Sequence, residues 1–419
     1  MPFRNLSRSF PRVFWLGLGV GALVWAQAPA GPPKPDAAPA VATVPGMPPV
    51  VDPANLYSET TAGKLGATVA GDLPRVYVPH IQSNDVYVID PATRKVVDRF
   101  KVGINPQHVV PSWDLRTLWV ANNAENTKLG SLTPIDPRTG KPGAALKVDD
   151  PYNMYFTPDG KSAIIVAEAY KRLDFRDPHT MAMQSSLEVP QCKGINHADF
   201  SIDGRYAIFT CEFSGTVAKI DLVNRKVLGY TQVIQPGRPT TVVKGPDGKD
   251  EVICTTWTGM PQDIRASPDG KLFFVADMMA DGVHVVDGEA FKQVGFIETG
   301  KGTHGLYPSR DGKKLYVANR GSNKIHGPPK GKGSVSVIDF ATRKVDVTWP
   351  IPGGGSPDMG NVSADGKTLW LSGRYDHVVY VFDTGSGAVT IIPVGKEPHG
   401  LTVWPQPGRY SLGHTGNLR

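Results

Sequence analysis

Four histidines recur in this 419-residue chain at the start of short apolar runs: His108 in "PQHVVP", His197 in "INHADF", His304 in "THGLYP" and His399 in "PHGLTVW". Asn153 in "PYNMYF", Asp263 in "PQDIRA" and Asp358 in "PDMGNV" hold the matching place in three further runs. Imidazole and carboxylate are ligands for zinc, copper, iron or nickel, and they also serve as general bases. These positions lie more than 40 residues apart, so they act together only if the fold brings the chain back to one place seven times. Taken singly, each histidine is an ordinary hydrogen-bonding residue of a wet channel mouth. Taken as a set, the seven define a ligand-binding funnel, with His108, His197, His304 and His399 as candidate donors to a transition metal and Asp263 and Asp358 as further ligands or general bases.

The elements that must position them are read from the repeat. Each run is followed by a turn, usually marked Asp-Gly, and by a second run rich in Val, Tyr, Phe and Trp, as in "PQDIRASPDGKLFFVADM". That is strand, tight turn, strand. A further pair such as "GVHVVDGEAFKQVGFIETG" follows most of these hairpins. Four strands in a repeat of about 42 to 45 residues make one blade of a β-propeller. The chain opens on "RVYVPHIQSNDVYVID" without an inner strand and ends on the inner strand "HGLTVW". Strands from residues 75–103 and from His399–Trp404 are therefore expected to form one composite blade, giving seven blades and no free sheet edge. Loops at the ring of polar residues would form a working rim carrying Asn122, Glu168, Arg172, Glu212, Met278, Arg320, Arg374 and Tyr375. An extra hairpin within 238–259 and the loop 322–334 would decorate the same face, the hairpin leaning over the funnel.

The motifs "LYVANR", "LWVANN", "VSVIDFATRKV" and "VYVIDPATRKV" make residues 75–404 resemble the bacterial YVTN-repeat β-propellers of the YncE type. The resemblance implies an all-β, seven-bladed propeller. It leaves the activity open, because similar propellers serve as binding proteins, as haem-carrying domains of nitrite reductases and as lactonases.

The ends of the chain suggest export. Arg4, Arg8 and Arg12 precede the uncharged run "VFWLGLGVGALVWA", and Ala26-Gln27-Ala28 offers a cleavage site, so residues 1–28 read as a signal peptide and the protein as periplasmic or secreted. Residues 29–72, rich in Pro and Ala, read as an extended tether, and 73–419 as the propeller. Without the signal the formal charge falls from +6 to +3, and no basic stripe argues for nucleic acid. Of the three cysteines, Cys192 and Cys211 bracket one hairpin and are expected to form a disulfide, leaving Cys254 free. No G-x-S-x-G, H-E-x-x-H, Walker, dinucleotide or C-x-x-C-H motif is present. Acids and imidazoles without a committed nucleophile favour a monomeric binding or scaffold protein for a small molecule, metal or protein partner on the funnel face. The alternative is a propeller enzyme, either a lactonase-like hydrolase or a redox protein with a metal or haem-type cofactor in the funnel.

Overall fold

The computed structural model describes residues 40–245 and 248–419, so the expected signal peptide and residues 29–39 of the tether lie outside the described residues. Seven antiparallel sheets form seven blades, six of which run in chain order from inner to outer strand. The blades start at Pro106, Pro151, Ile195, Pro261, Thr303 and Pro357. In the remaining sheet, Arg75–His80, Asp85–Asp90 and Lys95–Lys101 are joined by Thr402–Trp404, which pairs antiparallel with Arg75–Tyr77.

Burial follows position in the blade. Inner strands such as Pro106–Pro111 and Pro151–Phe156 are buried along their whole length, whereas the outer strands Lys95–Lys101 and Met183–Glu188 mix exposed and partly buried residues. Apolar clusters fill the gaps between neighbouring blades. One of them packs Ile164, Val166 and Phe175 of one blade against Phe200, Phe209 and Ile220 of the next. Each such side chain contributes about 1.5–3 kcal/mol by leaving water.

One turn repeats at the end of the channel away from the histidines. In six blades a hydroxyl (Ser112, Thr157, Ser201, Ser267, Ser309 or Ser363) donates to the Asp two residues later at 2.6–2.7 Å. The next residue has positive φ, which glycine adopts without steric cost at 160, 204, 270, 312 and 366. Leu115 takes that conformation in the sixth turn, where the sequence reads "SWDLR".

Two segments lie against this far end. Residues 40–72, expected as an extended tether, instead pack on the propeller. Leu56 and Tyr57 are buried among Tyr206, Ile264 and Phe273, and the Tyr57 hydroxyl donates to the Ala266 carbonyl at 2.6 Å. Its Pro and Ala content hid the few aromatic and aliphatic anchors that bind it down. The second segment is the C-terminal tail. After Trp404 it turns back and enters the channel. Its Leu412 carbonyl accepts from Phe156 N at 3.2 Å, and His414 N donates to the Met154 carbonyl at 3.1 Å. Tyr410 and Leu412 join the core around Tyr155 and Phe200, and the Arg419 guanidinium donates to the carbonyls of Phe200 and Ser201 at 2.6 and 3.1 Å.

Cys192 and Cys211 are joined by a disulfide, with Cα atoms 4.8 Å apart, and Cys254 is a free buried thiol. The extra hairpin pairs Thr241–Lys244 with Asp250–Ile253. It is anchored to the outer strand of its blade through reciprocal hydrogen bonds between the Gln232 amide and the Cys254 backbone, at 2.7 and 3.1 Å. These contacts tie it to the edge of its blade. Among the described residues no helix is long and apolar enough to cross a membrane.

Candidate functional site

A local irregularity aims the ring residues. In six blades the pairing of the inner with the second strand slips at the ring end, between Pro106 and His108, Ile195 and Ala198, Pro261 and Ile264, Thr303 and Gly305, Pro357 and Gly360, and opposite Pro151–Asn153. A bulge adds a residue to one strand and re-aims its side chain. The ring positions therefore share a place that a regular ladder would alternate between faces. His108, Asn153, His197, Asp263, Asp358 and His399 are fully buried and His304 is 2% exposed.

Around this ring the side chains fall into two groups. On one side Asp358 is the hub: it lies 2.7 Å from His399 Nδ1 and 2.9 Å from His304 Nδ1, and accepts from Arg320 Nη2 at 2.6 Å and Nε at 3.1 Å. Arg320 also donates to His304 Nε2. A guanidinium has donors only, so that nitrogen is an acceptor and the His304 proton faces the carboxylate. Burial pushes Asp358 up, but Arg320, His304 and His399 outweigh it and hold the carboxyl well below its ordinary range. Burial, then the Arg320 charge, lowers His304 to about 3. His399 is lowered as well, by burial, and its Nδ1–H donates to Asp358. Its Nε2 has no protein partner.

The other side is open. His108 packs against His197 and His399, with ring centres 5.3 and 4.9 Å apart, and neither of its nitrogens has a protein partner. His197 Nδ1 takes a hydrogen bond from Asn153 Nδ2 at 3.1 Å, and its Nε2 is unpartnered. The tail adds His414, which repeat counting did not reveal. Its ring centre is 4.7 Å from that of His197 and 5.4 Å from that of His108, and its Nε2 is unpartnered too. Burial holds His108, His197 and His414 well below the ordinary imidazole range, so they are neutral and have lone pairs to give. Asp263 stands beside them, pushed up to about 6 by burial against the pull of Arg265. Its oxygens accept from Ile264 N, Leu306 N and Arg265 Nη1 at 2.8–2.9 Å.

Above the imidazoles lies a polar collar. Glu212 accepts from Asn196 Nδ2 and Gln262 Nε2, both at 3.0 Å, and burial raises its carboxyl above the ordinary value. Glu168 is raised well above its own by burial and by Glu212. Arg320 and Tyr375 are buried here, with the Arg320 guanidinium carbon 5.8 Å from the Tyr375 ring centre. Met278 is buried with its sulfur 3.6 Å from Arg320 Nη1. Arg374 is 9% exposed and 3.9 Å from Glu397. Two residues expected on the rim turn into their own blades instead. Asn122 spends its amide on Val120, Ser131 and Thr133, and Arg172 pairs with Asp174 at 2.7 and 3.0 Å. Each meets a polar partner on the neighbouring part of its blade, which outcompetes solvent for a side chain at the end of a strand.

These features define a seven-bladed β-propeller with a buried imidazole cluster at one end of its channel and the chain's own tail in the other. Within that class the chain is similar to the YncE-like β-propellers. Residues 249–407 match the family model described as YNCE-like beta-propeller. The uncharacterized protein YncE of Salmonella typhi is 23% identical over 301 residues, 68% of this chain and 74% of that one. In fold the chain is similar to the hydrazine synthase of Kuenenia stuttgartiensis, at 19% identity and TM-score 0.53, over 70% of this chain and 88% of that one. It is also similar to dihydro-heme d1 dehydrogenase NirN in complex with DHE, at 14% identity and TM-score 0.54, over 81% of this chain and 77% of that one. At these identities the likeness extends to the propeller fold and not to its chemistry.

Proposed function

We propose that this protein is an exported binding protein that takes up a transition-metal species at the ring end of its channel and carries out no chemistry of its own. One observation carries the reading: the Nε2 atoms of His108, His197, His399 and His414 are buried and have no protein partner. A buried polar atom left unpaired costs about 1–3 kcal/mol, so four in one place call for a bound ligand or ordered water to satisfy them. Neutral imidazoles are borderline donors suited to zinc, copper, nickel or iron. The nearby Asp358 and Asp263 carboxylates accept from Arg320, from Arg265 and from backbone N–H groups, and among the described residues neither is bonded by a serine, threonine or cysteine nucleophile. Export rests on the N-terminal signal and agrees with the Cys192–Cys211 disulfide, which persists in an oxidising compartment. The collar of Glu212, Arg374 and Tyr375 gives the ring face its polar access.

Elemental analysis and an absorption spectrum of the purified exported protein test this, followed by calorimetry with zinc, copper and nickel. A near-stoichiometric metal, lost in a His108→Ala variant that keeps its circular dichroism, is the expected result. Wild-type protein that binds none of these ions better than the variant overturns the reading.

A further inference from the structure

The C-terminal tail does more than close the channel, and the reason lies in the spacing of three rings. About one four-coordinate ion, with metal–nitrogen bonds of about 2.0–2.1 Å and tetrahedral angles, three imidazole ring centres stand roughly 5 Å from one another. His108, His197 and His414 have ring centres 5.3, 5.4 and 4.7 Å apart. His197, Asp263 and His414 each place a donor atom within 4.8 Å of the others'. On the closed side, His304 has one nitrogen on Arg320 and the other 2.9 Å from Asp358.

We propose that the tail supplies a metal ligand, His414 joining His197 and Asp263, whose donor atoms already converge, with His108 drawn in as the fourth by its ring spacing, and that the ion is a four-coordinate borderline cation of the zinc type. This rests on the metal-binding reading above, which stands without it if His399 replaces His414. His399 is 4.9 Å from His108 by ring centres and offers its Nε2 as an acceptor for a bound water.

The surroundings of His414 fit the role through a tautomer exchange. Its Nδ1 lies 2.7 Å from Arg265 Nη2 and 3.0 Å from the Thr415 carbonyl. Arg265 only donates, so without metal Nδ1 accepts from it and the ring proton is on Nε2. Ligation through Nε2 moves that proton to Nδ1, where the Thr415 carbonyl receives it, and no net proton is released. Arg265 keeps its bonds to Asp263 at 2.8 Å and to the Ile264 carbonyl at 2.6 Å. Metal and Arg265 therefore compete for opposite tautomers of one histidine. At His197 the same exchange requires Asn153 to turn its amide oxygen toward Nδ1 and release Met154 N, which it holds at 2.8 Å. That makes His197 the costliest of the three imidazole ligands.

The test uses the whole exported chain and zinc alone, in competition with a chromophoric chelator. Wild type is expected to bind one ion, His414→Ala to bind at least about 100-fold more weakly, and His179→Ala to match wild type, its side chain being 70% exposed on an outer turn. Equal zinc affinity in wild type and His414→Ala overturns the tail's role and leaves the binding reading intact. A wild type that binds no zinc overturns both. If the alanine variant does not fold, nitrogen-15 histidine spectra of wild type decide instead. The His414 proton is expected to shift from Nε2 to Nδ1 on zinc addition, and a resonance that does not move overturns the proposal.

Discussion

The two halves of the histidine ring hold the same residue type at the same repeat position and use it in opposite ways. Around Asp358, neutral His304 and His399 sit against a carboxylate paired with Arg320, His399 Nδ1–H donating to it and His304 Nδ1 lying 2.9 Å away. Around His108 and His197 the imidazoles touch one another and the tail's His414, and their outward nitrogens are unspent. The difference comes from what each neighbouring loop supplies: Arg320 reaches His304 and Asp358 in the first half, whereas among the described residues no side chain hydrogen-bonds His108. A repeat position thus says where a side chain goes, and the loops around it say whether it is structural or available.

The most drastic way to erase both halves is to cut the chain after Pro398. This removes Leu401, Val403, Trp404, Tyr410, Leu412 and Leu418, all buried, each contributing about 1.5–3 kcal/mol. The sum matches or exceeds the roughly 5–15 kcal/mol by which a domain is stable, so the truncated chain is expected to show no cooperative melting. A thermal transition at the full-length temperature would mean that the ring does not depend on this closure.

Smaller changes separate the halves. Asp358→Ala leaves the Arg320 charge buried without its carboxylate and is expected to cost about 3–5 kcal/mol in denaturant unfolding. His304→Leu removes a partner from both groups and should cost about 1–3 kcal/mol. His108→Leu is the opposite case. It replaces two unpaired buried nitrogens with an apolar side chain, so the midpoint should hold or rise while metal binding disappears. If His108→Leu destabilises as much as His304→Leu, the two halves do not differ as described.

A pH effect outside the ring gives a reference for these values. His80 is fully buried, its Nε2 accepts from Gly395 N at 3.0 Å, and burial lowers it to about 4 despite Asp85. Its folded value lies below the unfolded one near 6.5, so the stability it carries is present above pH ~6.5 and is lost as the pH falls toward 4. The loss is on the order of 3 kcal/mol. Comparing wild type with His80→Gln at pH 7 and pH 4.5 checks this, since the variant should lose less on acidification.

Much of this was legible in the sequence, for identifiable reasons. The Asp-Gly turns and the Val- and Tyr-rich runs specify strands and blade count because each repeat solves the same packing problem. The ring positions followed from the repeat, although the bulges that aim them did not. His414 was invisible to that reasoning because "GRYSLGHTGNLR" repeats nothing. Its Tyr410, Leu412 and Leu418 were the available signal, being too apolar for a solvated tail. The commitment of His304 to Arg320 and Asp358 could not be read either, because three side chains from two blades must meet before any nitrogen is spent. The tether misled for the reverse reason: composition described its average, and Leu56 and Tyr57 decided its fate.

The open half is tested most directly by X-ray absorption at the zinc edge of the loaded, exported protein. Three imidazole nitrogens and one carboxylate oxygen at about 2.0–2.2 Å, with the outer-shell pattern of imidazole, are the predicted result. A sulfur scatterer near ~2.3 Å, which would put the ion on Cys254 or another thiolate, or a shell of oxygens without imidazole, would contradict it.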